Sequence, residues 1–178
     1  MHSLLTDEIE SAIGVLVIAI RDGYVCALDY EDCRGRMLAS LRSRFGVVEL
    51  RRESDPFGVS AKLRAYFDGD LKAIDAVSVD AGGTTFEQQV WAALRRIPAG
   101  ATVTYTDLAR ELGRPSAARA VGTINGRNPV SIVVPCHRVI GADASLTGYA
   151  GGLWRKQWLL DHEGAVVASR RISPTRRA

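Results

Sequence analysis

Cys136, His137 and Arg138 follow one another directly after Pro135. A thiol, an imidazole and a guanidinium in that order hold the parts of an activated nucleophile. A free cysteine titrates near ~8.5, which leaves about a few per cent as thiolate at neutral pH, and an adjacent base or cation is the usual remedy. Ser131-Ile132-Val133-Val134 reads as a β-type run that ends at Pro135, where the lost donor and fixed φ turn the chain. The turn matters because neighbours on a strand point to opposite faces, so Cys136 and His137 cooperate only where that alternation breaks. An isolated Cys-His pair is still more often a coincidence than a site.

The remaining cysteines add no second chemistry. Three in all, Cys26, Cys33 and Cys136, are too few and too odd for a disulfide framework and agree with a reducing compartment. Cys26 and Cys33 read as small hydrophobic residues. No second Cys/His pair stands at zinc-site spacing and His2 falls in a terminus expected to fray, so no metal is expected.

A chain of 178 residues with 47% hydrophobic side chains buries a proper core as one domain or two small ones. Its charge of +3 is unevenly placed. Residues 1–80 carry ten Lys/Arg against fourteen Asp/Glu, and residues 81–178 carry thirteen against six. The basic half suits a polyanion, although a solvated basic face is common and part of the excess lies in Arg170, Arg171, Arg176 and Arg177. No apolar run reaches the roughly 20 residues of a membrane span, and the opening Met1–Glu8 lacks the pattern of a secretory signal. A cytoplasmic protein with no membrane partner is expected.

The elements that must position Cys136 are readable in outline. Val15 to Ile20 and Tyr24 to Tyr30 pattern as strands joined through Asp22-Gly23. Helices follow over Arg34 to Phe45, stopped by Gly46, and over Ser60 to Phe67, with a further strand at Val47 to Leu50. Asp80-Ala81-Gly82-Gly83-Thr84 breaks the pattern where the charge balance changes sign, which divides the chain into 1–80, a linker over 81–84, 85–168 and a basic tail over 169–178. Thr84 and Glu87 form a capping-box signature for a helix over Thr85 to Arg96. Thr104 caps a short helix to Leu112, Gly113-Arg114-Pro115 ends it, and Ser116 is expected to cap the next, from Ala117 to Asn125. Two short helices around a Gly-containing turn have the layout of a helix-turn-helix. In the second, Ala117, Ala118, Ala120 and Gly122 leave Arg119 as a lone long cation on a face of small residues. Trp91, Trp154 and Trp158 read as core, and His162 as a helix C-terminal cation.

Asn128-Pro129-Val130-Ser131-Ile132-Val133-Val134-Pro135-Cys136-His137-Arg138-Val139-Ile140-Gly141 resembles the active-site signature of the O6-alkylguanine-DNA alkyltransferases, particularly their bacterial branch. The resemblance continues through Phe86 to Gly100, Tyr105 to Gly126, and Gly148-Tyr149-Ala150-Gly151-Gly152 into Arg155-Lys156 and Trp158 to Gly164. It covers almost all of the second half, in order. In the first half it rests on the hairpin-then-helix pattern and the Glu10 to Leu16 opening.

The resemblance implies an α+β fold: an α/β N-terminal domain with a small antiparallel, ribonuclease H-like sheet, then a mostly helical, winged-helix-like domain containing the helix-turn-helix. It implies irreversible, single-turnover transfer of an alkyl group from guanine O6 to Cys136 without an added cofactor, with O4-methylthymine a secondary candidate. His137 would be the base, acting through a water, Glu163 would orient it, and Asn128 would brace the turn. Tyr105 would serve guanine N3, the backbone N–H of Ala150 would face O6, and the carbonyls of Cys136 and Val139 would accept from the exocyclic amine. Tyr149 and Gly151 complete the pocket loop. The partner implied is double-stranded DNA, entered through the minor groove by a monomer with little sequence preference. Arg119 would fill the gap of the flipped nucleotide, and Arg114, Ser116 and Arg127 would meet phosphates. Relatives outside the bacterial branch often carry Ser where Ala150 stands and Pro where Ser131 stands.

Three other readings compete. A non-catalytic alkyltransferase-like protein that binds lesions would have replaced the acceptor cysteine, and this chain keeps Cys136. A thiol hydrolase would need a water-labile acyl intermediate and an oxyanion site, and nothing in the sequence beyond the Cys136-His137 pair supports it. A transcription regulator is disfavoured by the small-residue helix with its single arginine.

Overall fold

The computed structural model describes residues 2–166. Its first half is built on four strands, β1 (His2–Ile9), β2 (Leu16–Arg21), β3 (Tyr24–Tyr30) and β4 (Val48–Arg52), in the order β3-β2-β1-β4. The Asp22-Gly23 turn joins β2 to β3 with positive φ at both residues, the geometry that suits a tight hairpin. The sheet is mixed rather than wholly antiparallel. β1 pairs antiparallel with β2, and β2 with β3, whereas β4 lies parallel to β1. The cause is α1 (Arg34–Phe45), which crosses over between β3 and β4 and lets both run in the direction of β1. β1 also corrects the expectation of a frayed start, because strands on both sides tie it down and Leu4 and Ile9 are fully buried.

The helices of this half fall where periodicity puts them. Gly46, at φ +71°, ends α1, whose Met37 and Leu41 pack against Leu4, Val17 and Ala19 on one face of the sheet. α2 (Val59–Phe67) sends Leu63 and Tyr66 into the main core.

The second half begins with α3 (Thr85–Arg96), whose start is fixed by reciprocal bonds between Thr84 and Glu87. Gly83, at φ +82°, lies where an added Cβ would come within 2.7 Å of the Trp91 ring. β5 (Val103–Thr104) and β6 (Val139–Ile140) form a short parallel pair around α4 (Tyr105–Glu111) and α5 (Ala118–Gly126), and α6 (Leu153–His162) closes the fold. Thr104 caps α4 by accepting from the Asp107 N–H.

Three local expectations fail. Ser116 does not cap α5: Pro115 starts a 3-10 turn over Pro115–Ala117, which delays the helix to Ala118, and Ala117 takes the cap position without a side-chain bond. Ser131–Val134 is a buried turn and not a strand. Apolar side chains in a row reflect burial on all sides here, while Ile132 sits at φ +70° and the Val134 N–H bonds back to the Val130 carbonyl. Trp154 is half exposed at the start of α6, beside the Arg155 guanidinium, so of the three tryptophans it is not core.

One apolar cluster runs through both halves and holds Leu16, Tyr30 and Leu63 together with Val90, Leu94 and Leu159. No helix among the described residues is long and apolar enough to cross a membrane. The basic tail expected over 169–178 lies outside the described residues.

Candidate active site

The buried turn over 131–134 delivers Cys136 to the first position of a 3-10 turn, Cys136–Arg138. Asn128 makes this geometry possible. Its Nδ2 donates to the Val134 carbonyl at 2.7 Å and its Oδ1 accepts from the Val130 N–H at 3.0 Å, supplying bonds that a strand partner would otherwise give. Asn125, fully buried on α5, adds a bond from Nδ2 to the Cys136 carbonyl at 3.3 Å.

Cys136 is buried and opens on a small pocket lined also by Asn128, Ser131, Tyr149, Ala150 and Gly151. Burial pushes the thiol up, partly offset by the Asn128 amide and the charge of Lys156. The resting sulfur is therefore protonated, and reaction needs a base. His137, the next residue, has no exposed surface, and its Nε2 meets Glu163 Oε1 at 2.9 Å. Burial lowers the affinity of this ring for a second proton, against the opposing pull of Glu163. A carboxylate at Nε2 selects the tautomer that carries its proton there, which leaves the lone pair on Nδ1. Nδ1 has no hydrogen-bond partner among the described residues.

Glu163 is the hub of the site. Burial alone would raise its carboxyl, but the bonds from His137 and Arg138 win and hold it well below the usual carboxylate range. Arg138 binds it with two prongs, Nε to Oε2 at 2.8 Å and Nη2 to Oε1 at 2.7 Å, and ties off its third nitrogen on the Ile97 carbonyl. Tyr66, from α2 in the first half, donates to Oε1 at 2.8 Å. No spacing or motif points to Tyr66, which is 97 positions away.

The pocket loop is fixed from two sides. Tyr149 and Tyr30 bring their hydroxyls to 2.8 Å, and a Cβ on Gly151 would run into the Tyr30 ring. Lys156, fully buried, donates from Nζ to the Val139 carbonyl at 2.6 Å and the Thr147 carbonyl at 2.8 Å, and burial pushes its ammonium down to about 8. Val139 is thus already hydrogen-bonded, in β6. Tyr105 stands at the pocket's rim: its hydroxyl donates to the Thr147 carbonyl at 3.3 Å and its ring packs toward Gly122, where an added Cβ would meet it at 3.6 Å.

The remaining candidates lie together on α4, α5 and the turn between. Arg119 and Ala120 are exposed, Ala117, Ala118 and Gly122 are half-buried, and Ser116 is exposed in the 3-10 turn. Arg114 places its guanidinium 4.5 Å from the Phe86 ring centre, and exposed Arg127 ends α5. His162 donates from Nε2 to the Tyr66 carbonyl at 2.8 Å and stacks on Trp158, so it fastens α6 to α2 rather than only standing at a helix end. Among the described residues no group of three or more His, Cys, Asp or Glu side chains is placed to hold a metal ion.

Residues 85–165 match the family described as 6-O-methylguanine DNA methyltransferase, DNA binding domain. A protein of Salmonella typhimurium named methylated-DNA--protein-cysteine methyltransferase is 48% identical over 170 residues, covering 94% of this chain and 99% of its own length. A Mycolicibacterium paratuberculosis protein of the same name is 45% identical over 157 residues, 85% of this chain and 87% of its own. Among solved structures, Mycobacterium tuberculosis OGT in complex with DNA superposes with a TM-score of 0.73 at 39% identity, covering 91% of this chain and 92% of that one. The O6-methylguanine-DNA methyltransferase of Pyrococcus kodakaraensis gives 0.66 at 27% identity, with 91% and 99% covered. Likeness of this extent, along nearly the whole chain and through the segment that holds Cys136, makes the chain a member of the methylated-DNA--protein-cysteine methyltransferase family.

Proposed function

We propose that this protein repairs DNA by moving an alkyl group from guanine O6 to the sulfur of Cys136, once per molecule. The observation that carries the reading is the buried imidazole of His137, fixed by the Glu163 carboxylate and directly following the buried, protonated thiol of Cys136 in the 3-10 turn. His137 Nδ1 takes the thiol proton, through a water as the family resemblance implies, and Glu163 stabilises the imidazolium that forms. Sulfur then bonds to the alkyl carbon as the carbon–O6 bond breaks, and the electron pair moves into the base. Tyr105 supplies a proton at N3 and is reprotonated as His137 releases the thiol proton to solvent, so that overall guanine gains one proton and the thiol loses one. The thioether formed is not hydrolysed by water, and turnover ends there.

Reaching a stacked base requires flipping it, at a cost of a few kcal/mol. α5 suits this role in the minor groove, since its small outer residues allow close approach and Arg119 is free to take the vacated position. Arg114, Ser116 and Arg127 would contact phosphate, and the pocket loop from Tyr149 to Gly151, with Val139, would hold the base. Residues 1–80 and 85–168 would form the two domains, acting as a monomer on DNA of any sequence. Incubation with a duplex bearing O6-methylguanine should add one methyl mass to the Cys136 peptide, in a 1:1 ratio with lesions removed. An unchanged mass, or many lesions repaired per molecule, refutes the proposal. Cys136→Ser should bind the same duplex and gain nothing.

A further inference from the structure

Tyr66 and Glu163 come from opposite halves of the chain, 97 positions apart, and meet inside the core. The Tyr66 hydroxyl donates to Glu163 Oε1, the same oxygen that faces His137 Nε2. Tyr66 has no exposed surface and is held from behind: its carbonyl accepts from His162, and its ring meets those of Phe67 and His162 edge-on at 5.3 Å and 5.2 Å. Packing alone would be served by phenylalanine, and a buried hydroxyl is costly unless it is bonded. The oxygen therefore has a use at the carboxylate. Burial and the charge of Glu163 push the phenol far above its usual range, so it remains a donor throughout the working pH range.

We propose that Tyr66 is a positioning residue for alkyl transfer, which holds Glu163 Oε1 in line with His137 and shares the charge on that oxygen. The inference rests on the reading of Cys136, His137 and Glu163 as a proton-transfer chain. It makes the first half of the molecule a contributor to reactivity and not only a support. Around Glu163 stand Tyr66 from α2, His137 and Arg138 from the 3-10 turn and the Gly100 N–H; around His137 stand Glu163, Arg138 and Lys156 from α6. Without the phenol, more charge rests on Oε1, which faces the imidazole directly. The imidazolium is then stabilised, the ring becomes more basic, and the fraction able to accept the thiol proton falls at acid pH.

The test is Tyr66→Phe, followed by single-turnover rates with methylated duplex and with free O6-benzylguanine from acid to alkaline pH. Loss of a group that orients a reacting residue through its partner lowers activity by roughly ten-fold or more, and the loss should be equal for both substrates. The acid limb of the rate profile should move to higher pH, while duplex affinity measured on the Cys136→Ser background stays the same. On Glu163→Gln the tyrosine should fall silent, because it acts through that carboxylate. Since Glu163→Gln leaves Arg138 buried without its partner, the pair is repeated on His137→Gln, where Tyr66→Phe should again have no further effect. A parent-like rate and acid limb in Tyr66→Phe, or an undiminished loss in the double variants, overturns the proposal. A parent-like rate in Glu163→Gln would instead sink the proton-transfer chain itself, and a slow Glu163→Gln beside a normal Tyr66→Phe would sink only the role of Tyr66.

Discussion

Cys136 is kept protonated by its surroundings, so its reactivity depends on a base at the moment of attack and not on a standing thiolate. Lys156 is a cation with freedom to change that acts on Cys136: burial pushes its ammonium down to about 8, and its two acceptors are the Val139 carbonyl and the carbonyl of Thr147, which adjoins Gly148 in the pocket wall. Charge-assisted bonds weaken when the charge leaves. On the Cys136→Ser background, which removes the sulfur from the measurement, affinity for a lesion duplex should fall roughly five-fold (about 1 kcal/mol) as pH rises through the lysine's range. Lys156→Met should bind weakly at all pH and lack that step; a matching alkaline fall in both would assign it elsewhere. Cys136, His137 and Asn128 are legible in the sequence because they fall within ten consecutive residues, 128–137. Tyr66 and Asn125 are not, since their contacts with the site arise from folding and leave no spacing to read.

At the scale of elements, what the sequence shows best is what local chemistry decides. The capping box at Thr84 and Glu87, the Gly46 stop and the Asp22-Gly23 hairpin all appear where turn and cap rules place them. The Ser116 cap fails locally, displaced by the 3-10 turn that Pro115 starts, and elsewhere tertiary contacts outvote local preference. Ser131-Ile132-Val133-Val134 is rich in β-type residues, yet Leu28 of β3 takes up the Ser131 N–H, Asn128 takes up the Val134 carbonyl, and the segment turns between them. β1 is invisible as a strand because its partners lie on both sides and come later in the chain. α5 carries the prediction at this scale. Its Arg119 is exposed and makes no ion pair or side-chain hydrogen bond among the described residues. If it fills the place of an extruded nucleotide, Arg119→Ala should slow repair in duplex by roughly ten-fold or more, a share of the few kcal/mol that flipping costs, and leave the reaction with free O6-benzylguanine unchanged. Equal losses on both substrates would remove Arg119 from flipping and make α5 a packing element.

Across the whole molecule, the site is assembled at a seam. Arg155 reaches from α6 to the Ile13 carbonyl at 2.9 Å and to Asp32, lies 4.0 Å over the Tyr30 ring, and returns a bond to Gly151. Tyr66 and His162 make a second crossing, and both crossings touch residues of the pocket or of the Glu163 hub. A hub of buried ionisable groups ties the stability of the seam to pH, and its two members act in the same direction. The Glu163 carboxyl is lowered by folding, so its contribution is full above the unfolded value of 4.5 and is lost as pH falls through the folded one. The His137 ring is also lowered, from 6.5; below that value the unfolded chain takes up a proton that the buried ring refuses, and the native state loses ground until the folded value is passed. Thermal unfolding should therefore occur at steadily lower temperature as pH drops below about 6.5, with a second, steeper loss in the carboxylate range. His137→Gln should flatten the first part of that curve and keep the second, because the glutamine does not titrate while Glu163 still pairs with Arg138. An unaltered first slope in that variant would show that another group senses pH, and that the histidine is not the neutral, buried base on which the reaction depends.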